Sequence, residues 1–337
     1  MRFFEKTWRK GIFFGMKKKL KEIFLFAAVA ALFLCGCGQT DQELKTKEAR
    51  EKGEVAFVDD LGRQVVLGHP DKAAALIGSF ADIWLLAGGE LTAAANDSWD
   101  SLGLPLDEGV VNLGSITEPD VEQLIASGPD LVLASANTAA DLELEELLTG
   151  AGIPVAYFAV SNFEEYLHML DICTRLTGRR DLYEEHGLKV EEEIAKVLER
   201  VDGSAPTVLF LRASASSVKA KGSEGNVCGE MLADLGCVNI ADSEGSLTAD
   251  KGSLVADLSM EAVIAADPDY IFVTLQGSDQ EAAMENMEQL LLQHPAWSNL
   301  TAVKENRYYM LDKRLFNLKP NARWGEAYTL LADILYP

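Results

Sequence analysis

"VEQLIASGPDLVLAS" (121–135) and "MEAVIAADPDYIFVT" (260–274) are two writings of one unit, 139 residues apart. Each begins with helical spacing, passes through Pro-Asp, and continues as an apolar run that reads as a buried strand. In this register Glu122 meets Glu261, Ile125 meets Ile264, Ala126 meets Ala265, and Pro129-Asp130 meets Pro268-Asp269. A helix–strand unit written twice points to two similar lobes. The glutamate kept in each copy calls for its own explanation.

The surroundings repeat the plan. Apolar runs at 73–78, 91–96 and 154–160 alternate with helical spacing at 79–89, 118–127 and 139–149. Such alternation predicts a mostly parallel sheet with helices on both faces. Two helical stretches follow, 162–177 and 180–201, the second about 33 Å long if fully helical. Gly187 weakens it locally, and Glu191, Glu192, Glu193 and Lys196 give it a charged face. The alternation then restarts, with strands at 207–212, 238–243 and 307–312 and helices at 226–236, 281–292 and 322–337. The expected architecture is α/β, with an N-terminal lobe (55–179), a single long linker helix (180–202) and a C-terminal lobe (203–337). The cleft between the lobes is the default place for a small ligand.

The net charge of the 337 residues is -23, and it is unevenly spread. Residues 1–36 carry eight Lys/Arg against two Asp/Glu, which leaves about -29 for the chain from Cys37 onward. An acidic surface without a basic patch excludes nucleic-acid binding. The positive end reads as an export signal: basic "MKKKLK" (16–21), then apolar "IFLFAAVAALFL" (23–34), too short to span a bilayer comfortably. The sequence "LCGC" (34–37) resembles a bacterial lipobox, with Cys37 as the lipidated residue; Cys35 fits less well, because Leu34 stands where a small residue is wanted. Met16 competes with Met1 as the start, and an ordinary transmembrane anchor is the competing reading. Residues 37–54 read as a flexible tether. Of the remaining cysteines, Cys173, Cys228 and Cys237, three is an odd number, so a full disulfide framework is excluded. Cys228 and Cys237 either pair or stay as buried free thiols, the second being expected.

No G-x-G-x-x-G, G-x-x-x-x-G-K-[ST] or G-x-S-x-G motif occurs. The histidines at 69, 168, 186 and 294 are scattered, without the spacing of a zinc site. Nothing calls for catalysis, so a binding protein rather than an enzyme is expected, with no resident cofactor or metal.

The ordered set now resembles a known family: the lipid-anchored solute-binding proteins of bacterial ABC importers, in the group that carries ferric siderophores, haem and cobalamin. "FVDDLGRQVVL" (57–67) is similar to the family's opening strand pair, and "SFADIWLLAGGELTAAAND" (79–97) to its first helix and next strand. The two Glu-plus-Pro-Asp units and "FNLKPNARWGEAYTLLADILYP" (316–337) complete a likeness that covers nearly all of 55–337. The resemblance implies two Rossmann-like lobes joined by a stiff helix, a monomer, and small motion on binding. It implies a partner permease dimer with a cytoplasmic ATPase, met by a surface glutamate on each lobe; Glu122 and Glu261 hold those positions. It places the chain on the extracytoplasmic face of the cell membrane, anchored through Cys37.

Ligand contacts are expected at the C-terminal ends of strands and in the loops beyond. These are Ser79, Phe80, Trp99, Asn137 and Tyr157 in the first lobe. In the second they are Arg212, Lys219, Gln276, Phe316, Asn321, Arg323 and Trp324. Aromatic rings would stack on a flat ligand, and Arg and Lys would pair with carboxylates or phenolates. No cluster of three basic residues stands out, and the acidic surface disfavours a highly anionic ligand at long range. The expected cargo is therefore haem, a corrinoid, or a neutral or cationic ferric siderophore. A receptor for bare zinc or manganese is the alternative, requiring three or four converging His/Asp/Glu. An exported enzyme on the same plan, of the nitrogenase-component kind, would need cluster-ligating cysteines.

Overall fold

Both Pro-Asp units do the same structural work. The Asp130 N–H donates to Lys72 O (2.9 Å), and its carboxylate accepts the N–H groups of Asp71 and Lys72 (both 3.1 Å). The Asp269 N–H donates to Thr207 O (2.9 Å), and its carboxylate accepts the N–H and hydroxyl of Thr207 (2.8 and 2.7 Å). Each aspartate thus fixes the entry of a neighbouring strand, Ala73–Ala75 in one sheet and Thr207–Ala213 in the other. The proline before it stops the helix and starts the extended run.

The computed structural model describes residues 53–242, 256–257, 260–277 and 279–337, with backbone alone at 256, 257, 260 and 261. The expected signal segment, Cys37 and the tether up to residue 52 lie outside the described residues. From Phe57 to Pro337 the chain is one compact unit whose described residues form two large sheets, besides smaller two-stranded ones. The first is wholly parallel, in the order Val111–Asn112, Leu91–Ala94, Ala73–Ala75, Leu131–Ser135, Val155–Phe158. The second runs Ala256–Asp257, Val218–Lys221, Thr207–Ala213, Tyr270–Leu275, Tyr308–Met310, and Val238–Asn239 pairs with the start of Thr207–Ala213. The α/β class and the twofold plan expected from the sequence are present. Val218–Lys221 and Ala256–Asp257 enter as additional antiparallel strands.

Between the sheets in sequence lie the helix Phe163–Leu176 and a continuous helical run from Arg180 to Leu198. The run is not uniform: Glu184–Leu188 is a π-helical turn, where one extra residue is fitted into the helix. Gly187 has a packing role as well as a helix-weakening one. A Cβ there would stand 3.0 Å from Leu167 Cδ2 and 3.3 Å from Leu170 Cδ2, so it lets the two helices approach closely. Trp324–Leu335 closes the chain and packs on Lys189–Leu198. Asn162 caps its helix by accepting the Glu165 N–H (2.9 Å), and Asn226 caps Val227–Asp234 in the same way through Gly229 (3.0 Å). The three cysteines of this unit are free thiols.

The clamp predicts a stability cost. Asp269→Ala strands two donors of Thr207 and should lower the unfolding free energy by about 2 kcal/mol. Asp130→Ala, whose bonds are exposed, should cost less than half as much. Urea titration of both variants checks the order.

Candidate functional site

Strand Thr207–Ala213 brings Arg212 to the C-terminal edge of its sheet and then turns back through Ser214-Ala215-Ser216-Ser217. The turn holds itself: the Ser214 N–H donates to Ser217 O (2.8 Å), and Ser214 Oγ accepts the Ser217 N–H (3.1 Å). The return strand sets Lys219 directly opposite Arg212 and Lys221 opposite Phe210. Opposed residues, and residues two apart along a strand, share one face of a sheet. Three cations therefore crowd a single face. With the serine turn, Gln276, Gly277 and Asp279 they line a pocket of about 580 Å³.

The cations of this pocket repel one another. Like charges directly opposite across a strand pair destabilise it. None of Arg212, Lys219 and Lys221 takes part in an ion pair among the described residues. Arg212 Nε is buried with no hydrogen-bond partner among them. Burial lowers the pKa of Arg212. Burial, together with the charges of Arg212 and Lys219, lowers that of Lys221. Asp279, an acid in the lining, forms no ion pair with the cations among the described residues; its carboxylate caps the helix Gln280–Met287 by accepting the Ala282 N–H (2.9 Å), and Asp257 is the backbone partner of Lys219 in the next strand. A fourth cation stands close enough to sense them. Lys319 Nζ lies 5.8 Å from the centre of the Phe80 ring. Burial lowers the Lys319 pKa; Asp97 opposes the shift, Arg212 adds to it and Glu165 opposes it.

A second pocket of about 600 Å³ lies behind the same wall. Leu275 and Gln280 face it, and Lys313, also in its lining, donates from Nζ to Gly277 O (2.8 Å) of the first pocket. Asp100 and Ser101 from the first half contribute to it, so it spans the two halves, with Met284 and Met310 as its soft side. Two ties hold the halves together here. Arg314 donates to Leu102 O, and Asn321 Nδ2 donates to Ser79 O (2.9 Å) and to the Asp82 carboxylate (2.7 Å).

Of the twelve contacts expected from the sequence, the structure brings three together: Arg212, Lys219 and Gln276. The others lie outside that pocket. Tyr157 is fully buried in the first core, and its hydroxyl donates to Asp141 O (2.8 Å). Trp324 is buried edge-on to Phe163, in the seam between the last helix and Phe163–Leu176. Phe316 and Phe80 are buried too, Phe80 edge-on to Phe158. Asn321 spends its amide on the tie just described, at a left-handed backbone position (φ 54°). Arg323 is exposed and forked onto Glu326 (2.7 and 2.8 Å). Trp99 is half-buried, Asn137 is exposed, and Ser79 Oγ is buried without a partner among the described residues. Lys221 and Lys319 escaped the sequence reading. For Lys221 the signal was present, because "KAK" after a serine turn is period-2 spacing across from Arg212. The expectation that no three basic residues gather is overturned by the hairpin. Glu122 is exposed in the first turn of Val121–Ala126. Glu261 holds the matching position in Met260–Ala266, and its side chain lies outside the described residues.

Two α/β sheets, tied across a helix and opening pockets at their strand ends, define a two-lobed binding protein. The chain belongs to the periplasmic binding protein family, whose profile matches residues 74–315. Among its relatives is the iron-uptake system-binding protein of Bacillus subtilis, 22% identical over 315 residues and covering 90% of this chain and 93% of the relative. Solved structures share the fold. Staphylococcus aureus SirA, complexed with staphyloferrin B, is 20% identical at a TM-score of 0.64, over 84% of this chain and 97% of that one. S. aureus IsdE, complexed with heme, is 16% identical at 0.64, over 79% and 99%.

A proton should accompany an anion into the first pocket. The empty site holds the Lys221 pKa down, and a bound anion raises it. Binding therefore takes up protons between the depressed and ordinary lysine ranges, and affinity falls as pH rises through the depressed range. Calorimetry of citrate binding at pH values below the ordinary lysine value of about 10.4, in buffers of different ionisation heat, should show that uptake; Lys221→Gln should remove most of it.

Proposed function

We propose that this protein is an extracytoplasmic receptor that captures an anionic ferric chelate and delivers it to an ABC permease. Arg212, Lys219 and Lys221 carry the proposal: three cations share one face of one hairpin, and none is in an ion pair among the described residues. A chelate with carboxylate or catecholate oxygens supplies what that face lacks, and Arg212 can bind a carboxylate bidentately. The serine hydroxyls add neutral donors. The iron-uptake name of the B. subtilis relative and the staphyloferrin B held by SirA lend support. Haem fits less well, because among the described residues the lining of the cationic pocket contains no aromatic ring and no His, Tyr, Met or Cys to ligate iron. A bare-metal receptor is disfavoured: among the described residues no group of three or more His/Cys/Asp/Glu could hold a metal ion.

The rest of the reading concerns delivery. Cys37 would carry the lipid anchor and residues 37–54 the tether. No described helix is long and apolar enough to cross a membrane. Glu122 and Glu261 would meet the two halves of a permease dimer powered by a cytoplasmic ATPase, with the receptor acting as a monomer and without a cofactor of its own.

Calorimetric titration with ferric citrate and with cationic ferrioxamine B tests the cargo. The wild-type protein should prefer ferric citrate. Arg212→Gln, Lys219→Gln and Lys221→Gln should each weaken that binding about tenfold or more, and added salt should weaken it further. A preference for ferrioxamine B, or indifference to all three substitutions, would contradict the proposal.

A further inference from the structure

The short helix Ala139–Glu143 follows the end of the strand Leu131–Ser135, and its one buried side chain is Asp141. Ala139, Leu142 and Glu143 are exposed, and Ala140 is half-buried. A surface helix is ordinarily held by an apolar stripe; this one is held by a carboxyl group. Asp141 Oδ2 accepts the N–H of Ser135 (2.7 Å), the last residue of the strand. The backbone O of Asp141 accepts the Tyr157 hydroxyl (2.8 Å). Ser135 Oγ in turn accepts the Asn137 N–H (3.1 Å). These bonds clasp residues 137–143 to the C-terminal rim of the first sheet, the side on which open α/β sheets meet their ligands.

Asp141 has no exposure, and its Oδ1 has no hydrogen-bond partner among the described residues. Nor does it take part in an ion pair among them. A fully buried carboxyl group is kept by a cation, by donors to both oxygens, or by its own proton. Its neighbours supply neither of the first two. The strand Leu131–Ser135 carries no charged side chain. Val155–Phe158 brings Tyr157, whose phenol burial pushes up to about 12, so it stays neutral. Arg63 lies over that ring (4.5 Å), but it is committed to Asp59 and Glu145 (2.6 Å each) and to Val155 O (3.0 Å). Asp59 and Glu145 bring only negative charge, already paired with Arg63. We infer that Asp141 is a proton-operated catch: its neutral carboxyl group clasps residues 137–143 to the first sheet, and ionisation releases them.

Burial pushes this carboxyl group up to about 7, and the Ser135 N–H opposes the shift. In the released segment the group returns to the ordinary aspartate value of about 4. Between those values the clasped form holds a proton that the released form has lost. Over that window the released population rises about tenfold per pH unit, and above it the rise levels off. The rim is therefore tightest in acid and loosest from neutral pH upward. The catch is built from the first sheet and its flanking residues and stands apart from the anion pocket of the second.

Hydrogen exchange of the full chain, read by mass spectrometry between about pH 5 and pH 8 and corrected for the intrinsic rate, tests the catch. Peptides covering 137–143 should lose protection about tenfold per unit up to about pH 7 and no more beyond it. Peptides from the strand Thr207–Ala213 should stay level. Asp141→Asn keeps the shape and removes the charge, so its profile over 137–143 should be flat. Glu145→Gln should leave the wild-type slope in place. Carbon-13 shifts of the labelled wild-type carboxyl groups give a second readout, with Asp141 titrating near neutral pH. The inference is overturned by a flat wild-type profile, by a slope of the opposite sign, or by a slope that survives Asp141→Asn. An Asp141 that titrates at about pH 4 overturns it as well. If Asp141→Asn does not fold, the wild-type profile and the carboxyl midpoint decide.

Discussion

The carboxylate of an aspartate that follows a proline sets the frame of each half. Asp130 and Asp269 each seize the backbone at the start of a neighbouring strand. That fixes where the strand enters the sheet and hence where its C-terminal end emerges. For the strand Thr207–Ala213 the consequence is direct. Its entry is held by Asp269, its register with Tyr270–Leu275 follows, and Arg212 arrives at the sheet edge beside Thr274. The hairpin that doubles back from this edge then has one register, which places Lys219 across from Arg212. A one-residue slip would turn both lysines to the opposite face. The clamp therefore positions the charges without touching them.

The resulting site is a local reversal of the chain's electrostatics. From Cys37 onward the chain carries a large negative charge, yet one hairpin face holds three cations that form no ion pair among the described residues. The two coexist because charges separated by more than about 8 Å are screened at physiological salt, while the pocket's partly buried cations act at contact range. A surface of this kind repels polyanions such as nucleic acid, while the hairpin pocket is complementary in charge to a compact anion. The crowding is costly to the fold, and a bound anion would relieve it, so part of its binding free energy would come from removed repulsion.

Much of this frame was legible in the sequence. The repeat predicted two halves, alternation predicted parallel sheets, and the strand at 207–212 put Arg212 near a strand end, where the structure has it. What escaped was tertiary. The return strand Val218–Lys221 is built from Ala, Lys and Val after a serine turn, without the Asn-Gly or Asp-Gly signal that marks a short hairpin, so its lysines could not be paired with Arg212. Tyr157 and Trp324 were read as cleft residues because a strand end or helix start gives no sign of what covers it. The covers are the segment around Asp141 and the helix Phe163–Leu176. Lys319 sits in a loop whose path is fixed by Asn321 reaching across to Ser79 and Asp82, a contact between residues more than two hundred apart. Period and propensity carry no information at that range.

The central claim is that the cationic hairpin face exists to hold an anionic ferric chelate. The most direct measurement is the absorption spectrum and metal content of the protein purified from its own host without added ligand. The account predicts a broad visible charge-transfer band and iron bound at up to one per chain. Both should disappear when Arg212, Lys219 and Lys221 are replaced together by glutamine. A porphyrin or corrin spectrum, or zinc or manganese in place of iron, would contradict it.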